Sequence, residues 1–176
     1  MPHLIRPLTV ALIATIGDFI WFEFGVRHTA MAGVIHGAVL LLAVGVTLGQ
    51  AAGRLWRGSL GGIAAGIAGA GAFYAVAGSL GYIGALIAAW SFMWLVLAAI
   101  NAWLYDELSQ PQGWLVRAAV AAVGSGATFY FVAGIWTDPI PDGARNYLWH
   151  LVAWTIAWAP GLAALTLRWT DEEVAR

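Results

Sequence analysis

Between Gly58 and Gly78 the chain reads GSLGGIAAGIAGAGAFYAVAG, apolar throughout and with few large side chains before Phe73. Gly58, Gly62, Gly66 and Ala70 recur every fourth residue, so on a helix they share one face and leave a smooth groove for a second backbone. In water each interior glycine would cost roughly 0.5–1 kcal/mol relative to alanine, and few soluble helices carry so many. A helix in lipid tolerates them, because close backbone approach is what binds membrane helices together.

The whole chain agrees with a membrane setting. Of its 176 residues 61% are hydrophobic and 10% charged, outside the range of ordinary globular domains. Six segments are long enough to cross about 30 Å of hydrocarbon at about 1.5 Å per residue. They run near 7–24, 31–50, 59–77, 80–104, 114–136 and 147–167 of a single integral membrane domain. The expected fold is therefore all-α, a polytopic six-transmembrane-helix bundle. Arginine placement predicts its orientation: Arg6, Arg54, Arg57, Arg117, Arg168 and Arg176 fall on one side, Arg27 and Arg145 on the other. By the positive-inside rule the first side is cytoplasmic, giving N-in and C-in. Trp56, Trp103, Tyr105, Trp114, Trp136, Tyr147, Trp149 and Trp169 sit near segment ends, as an interfacial belt requires.

The first segment also has the outline of a cleavable signal peptide, with Arg6, a hydrophobic run and Ala30-Met31-Ala32. Asp18 and Glu23 inside that run argue against cleavage, so it is kept as the first span. The composition excludes several chemistries. All eight basic residues are arginine, which rules out lysine Schiff bases, and there is no cysteine for thiol, disulfide or iron–sulfur chemistry. A net charge of −1 without a basic run argues against nucleic acid as a partner. No phosphate loop, nucleophile elbow, paired-carboxylate site or zinc-protease helix occurs, so the protein is expected to be non-enzymatic and to need no cofactor. The lysine-free, alanine-rich composition is what GC-rich coding yields and points to a bacterial cytoplasmic membrane.

A few residues carry what chemistry there is. Asp18 is the one carboxylate placed deep in a span, where it must be protonated, hydrogen-bonded or facing a wet interior; it serves either helix packing or a ligand. His36 and His150 lie at comparable depth, each within a turn or two of a span end where imidazole can reach headgroups or water. No His-x-x-His or Glu-x-x-His pair pre-organises a metal or haem site. Trp90, Trp94, Leu97 and Asn101 form a stripe on one helical face, and His150, Trp154 and Trp158 form another. Pro160-Gly161 is expected to kink the last span. Asp106 and Glu107 close the fourth segment, within reach of Arg117. Gly124 and Gly126 make a second small-residue patch that could meet the glycine ladder. That ladder first reads as a dimerisation face, hence a possible homo-oligomer. It reads alternatively as an internal seam, or as a cavity wall in which Gly66 faces Trp90 and Trp94.

From the third segment on, three local features resemble the Insig family of six-span sterol sensors. They are Trp103-Leu104-Tyr105-Asp106 with a short turn to Gly113; Pro141-Asp142 followed by Arg145, Tyr147 and Trp149; and the six-span topology with both termini cytosolic. The resemblance covers roughly 59–169. The family's tryptophan and proline pairs at the second span are missing, and Glu107 and Ser109 replace the basic residues that follow the aspartate. What the resemblance implies is a lipid sensor with a cavity between helices for a sterol or other neutral lipid, such as a diacylglycerol-type molecule. Asp18, Gly66, Trp90, Trp94, Asn101 and Trp154 are the candidate lipid contacts, and Asp106 is the position that serves partner binding in the family. A proton-coupled carrier or channel using Asp18, His36 and His150 is the alternative expectation.

Overall fold

A computed structural model describes residues 2–27, 29–136 and 146–167, with side chains described for 5–27, 29–130 and 146–167. The expected loop at 137–143 and the positions of Arg145, Arg168, Trp169 and Arg176 lie outside the described residues. Among these residues the chain is all-helical: α1 (Pro2–Glu23), α2 (Ala30–Ala51), α3 (Leu55–Leu104), α4 (Pro111–Trp136) and α5 (Tyr147–Thr166). α1 begins ahead of the expected Pro7, which lies inside the helix near its start. Five helices stand where six were expected, because the third and fourth expected segments belong to one element of 50 residues.

That element does not run straight. Gly81 alone leaves helical geometry, at φ 69° and ψ 176°, a backbone region reached almost only by glycine. The two arms then lie antiparallel: Gly61 meets Ile100, and Gly69 meets Met93. Their far ends are close enough for Arg54, just before α3, to bond Asp106, just after it. A straight helix of that length would hold those ends about 75 Å apart.

The ladder of Gly58, Gly62 and Gly66 is covered by α2. A methyl group on Gly62 would overlap the Leu41 carbonyl oxygen, and one on Gly66 would overlap that of Gly37. α2 answers with glycines of its own, Gly45 and Gly49, whose backbone lies against Gly58. The ladder is thus a seam inside one chain, and its partner is α2. Gly124 and Gly126, expected to meet it, instead face Pro160 and Trp90 from α4. A second glycine row, Gly33, Gly37, Gly45 and Gly49, is spaced by four, eight and four residues, so it too shares one helical face and was the legible signal for this pairing.

Around this seam α1 packs chiefly on α5 and less on α2, while α4 packs on α5 and on α3. The core is built from Val10, Val44, Leu48, Leu97, Leu104, Leu162 and Leu165, with Trp94 and Trp158 fully buried among them. Large apolar side chains are also exposed on the outward face. On α1, Ile5, Leu8, Leu12, Ile16, Phe19 and Ile20 are all exposed, whereas Val10, Ala11 and Ala14 face inward. On this helix large apolar groups outside and small ones inside invert the soluble pattern and suit a hydrocarbon surround. Four helices, α1, α2, α3 and α5, are long and apolar enough to cross a membrane. α4 carries Gln112, Arg117, Ser125 and Thr128 and is not among them.

Candidate functional site

One polar cluster joins α1 to α5. Asp18 points from α1 toward α5, and one carboxylate oxygen, Oδ2, takes two contacts. Trp154 donates its indole N–H to it at 2.7 Å, and His150 Nδ1 lies at 3.0 Å. The helical period makes this possible: His150 and Trp154 are one turn apart on α5 and so present both groups on one face. The Asp18 side chain is 16% exposed and that of His150 is 4%. His150 is therefore buried against its aspartate, not reaching headgroups or water as expected of it. A buried polar group in lipid needs such partners, because an unmade bond costs several kcal/mol there.

His36 approaches from α2. Its ring lies against Gly17, where a Cβ would come within 2.7 Å of Cε1, and edge-on to Trp21 at 5.3 Å between centroids. Gly17 is thus the residue that lets α2's imidazole sit beside the turn bearing Asp18. One turn toward the helix end, the Tyr147 hydroxyl donates to Glu23, a second clasp between α1 and α5. Among the described residues no group of three His, Asp or Glu side chains is arranged to hold a metal ion.

An aromatic shelf continues from Trp154 into the bundle. Trp154 stacks on Phe129 at 5.5 Å, Phe129 on Trp90 at 4.4 Å, and Trp90, Trp94 and Trp158 are in mutual contact at 5.1–6.2 Å. Gly161 makes space for it, since a methyl group there would run into the Trp94 ring. The Gly161 N–H donates to Ser125 Oγ at 2.8 Å, tying α5 to α4 beside Pro160. Phe129 and Trp158 were not among the expected site residues, although Trp158 lay on the visible stripe.

Four of the expected residues, Asp18, Trp90, Trp94 and Trp154, therefore lie in one neighbourhood. Two do not. Gly66 is pressed under the α2 backbone, on the seam, and faces neither tryptophan. Asn101 is buried lower down, where its Nδ2 donates to the Leu165 carbonyl at 2.9 Å. That carbonyl is in the last turn of α5, where intrahelical donors run out, so Asn101 acts as a cap supplied by another helix. Asp106 is at the same end of the molecule, exposed and bonded by both nitrogens of Arg54, at 2.9 Å through Nη1. The pairing expected with Arg117 is replaced by this one, because the fold-back of α3 brings Arg54 to the turn. The Arg54 hydrogen bonds, and then the charges of Arg54 and Arg57, hold the Asp106 carboxyl below the usual carboxylate range.

Chemically, the α1–α5 cluster is an acceptor fixed at depth in an apolar wall, with aromatic surface on one side and two imidazoles beside it. It can receive a hydroxyl or N–H. No family model, curated protein or solved structure matches the chain.

Proposed function

We propose that this protein is a non-enzymatic membrane protein that binds a neutral lipid bearing a hydroxyl group, a sterol or a diacylglycerol-type molecule, with Asp18 as the polar anchor. The observation that carries this reading is the Asp18–Trp154–His150 cluster at depth beside an aromatic shelf. Such a lipid has one polar head on a large apolar body. It needs one acceptor in an otherwise apolar wall, and Asp18 retains an accessible edge while its Oδ2 is held by the Trp154 indole N–H and lies against His150. The lighter packing of α1 on α2 supports entry between these two helices, where His36 stands. The local resemblance to the Insig family points to the same ligand class. In this reading the two arms of α3 and α4 each cross the bilayer, making six spans with both termini inside, in a bacterial cytoplasmic membrane, and Asp106 faces any protein partner.

The test is to purify the protein in mild detergent and identify what is retained by mass spectrometry. A specific hydroxylated neutral lipid, retained by the native chain and lost several-fold in Asp18→Asn and Trp154→Phe, is the expected result. Bulk phospholipid in bulk proportion, unaffected by either change, would sink the proposal.

One observation favours a second reading, a proton-coupled carrier: Asp18, His36 and His150 do gather in one place. A carrier also needs a path onward, and below the cluster lie Trp94, Trp158, Leu97 and Leu162, all buried and apolar in contact. Proton flux in liposomes that disappears in Asp18→Asn would move the assignment to this reading.

A further inference from the structure

Two polar groups between α1 and α2 are left over once the contacts of the Asp18 cluster are assigned. Trp154 and His150 both meet Asp18 through Oδ2, and among the described residues no hydrogen bond reaches Oδ1. The side chain is 16% exposed and Oδ1 is not enclosed by protein. His36 is the second group. Its ring is partly exposed, lies against Gly17 and meets Trp21 edge-on. Among the described residues neither of its nitrogens has a hydrogen-bond partner, and neither is enclosed. The two groups stand at matching height: Asp18 is five residues before the end of α1 and His36 six after the start of α2, so each lies roughly 8–9 Å from the turn joining these helices. They are also neighbours, since Gly17 precedes Asp18 and the carboxylate charge acts on the imidazole. The exposed surface belongs to the polar atoms themselves, so a ligand arriving between α1 and α2, where packing is lighter, reaches both.

We infer that His36 is the second polar contact of the lipid site, and that the ligand's head carries two neighbouring hydroxyl groups, one for Asp18 Oδ1 and one for the His36 imidazole. This rests on the lipid-binding reading above and narrows its ligand. In an apolar surround an unmet polar group is costly, and a head with a single hydroxyl leaves one of these two unmet. Hydroxyls suit both partners. A hydroxyl donates to the carboxylate, and it donates to or accepts from the imidazole, whichever nitrogen carries the proton. A monoacylglycerol-type head meets the requirement, and a sterol with one hydroxyl does not.

The experiment uses the full chain in detergent micelles carrying an octadecane vicinal diol and octadecanol in equal amount, two probes that differ by one hydroxyl, with retained lipid read by native mass spectrometry. The native protein retains the diol over the monoalcohol by roughly tenfold, as expected when one buried polar group gains or lacks its partner. His36→Phe, which keeps a planar ring against Trp21 and removes both nitrogens, retains the two alike. Gly17→Ala places a methyl group where the His36 ring lies and displaces it without removing a polar group. It lowers the preference too, and remains informative if the phenylalanine variant folds poorly. Asp18→Asn lowers retention of both probes. Equal retention of diol and monoalcohol by the native chain, still dependent on Asp18, overturns the two-hydroxyl head and leaves the Asp18 anchor standing. A diol preference that survives in both His36→Phe and Gly17→Ala removes His36 from the site. Retention of neither probe in an Asp18-dependent way overturns this inference together with the reading it rests on.

Discussion

Single residues in this protein are decided by whether a backbone or a side chain stands next to them. Gly62 and Gly71 are both helical glycines on α3, yet the first touches the Leu41 carbonyl and the second has nothing within 4 Å. Gly62→Ala should therefore separate α2 from α3 and destabilise by about 1–3 kcal/mol. Gly71→Ala should be neutral or mildly stabilising, by up to about 1 kcal/mol. Thermal melts of the two variants in one detergent check the difference, and equal melting temperatures would refute the seam. Asp106 illustrates a different constraint, because it adopts φ 60°, which Asp and Asn tolerate better than most residues. Asp106→Asn keeps that conformation and removes the charge. Since Arg54 depresses the folded carboxyl, the contribution of the pair is present above the ordinary carboxylate range and is lost as pH falls through the lowered value. Amide protection around Gly53 and Tyr105 should accordingly drop below about pH 4 in the native chain and show no such step in Asp106→Asn.

Elements are decided by how they meet. α3 is long enough to cross a bilayer twice, and its fold-back depends on one torsion. Gly81→Ala forces a side chain into a glycine-only region and should cost about 1–3 kcal/mol, pulling the 55–80 and 82–104 arms out of register. A loss of the Arg54–Asp106 clasp should accompany it, since that clasp exists only while the arms are antiparallel. Cysteines introduced at Ser59 and Ala102 report this directly: cross-linking between the two arms should fall in the Gly81→Ala background. The α1–α5 pair is held differently, by Asp18 and Glu23 on one helix and Tyr147, His150 and Trp154 on the other. Polar clasps of this kind position a helix by side-chain hydrogen bonds, where α2 and α3 are united by backbone contact.

At the scale of the molecule, polar groups concentrate at two levels and an apolar aromatic middle separates them. One level holds Asp18, His36 and His150; the other holds Arg54, Asp106, Asn101 and Arg117. This division gives the molecule two distinguishable ends. It also makes the topology testable. With both termini inside and α3 crossing twice, cysteines at Met1 and at Gln110 should be labelled only from the cytoplasmic side, and one at Gly81 only from outside. Labelling of Gly81 from the cytoplasmic side would refute the six-span reading.

How much of this was legible beforehand depends on the range of the interaction. The membrane class, the helices and their approximate ends follow from apolar run length and helical period, which are local properties of the chain. The stripe of His150, Trp154 and Trp158 and the isolation of Asp18 were visible for the same reason. What they touch was not, because Asp18 and Trp154 are 136 residues apart and nothing in either segment names the other. The glycine ladder shows the limit most clearly. Its four-residue spacing by itself determined that something would lie close against it, while a second chain, the small patch of Gly124 and Gly126, and a cavity were the expected occupants. Only the tertiary structure decided for α2, because close backbone approach requires complementary gaps on both helices at matching heights, and Gly37, Gly45 and Gly49 supply them.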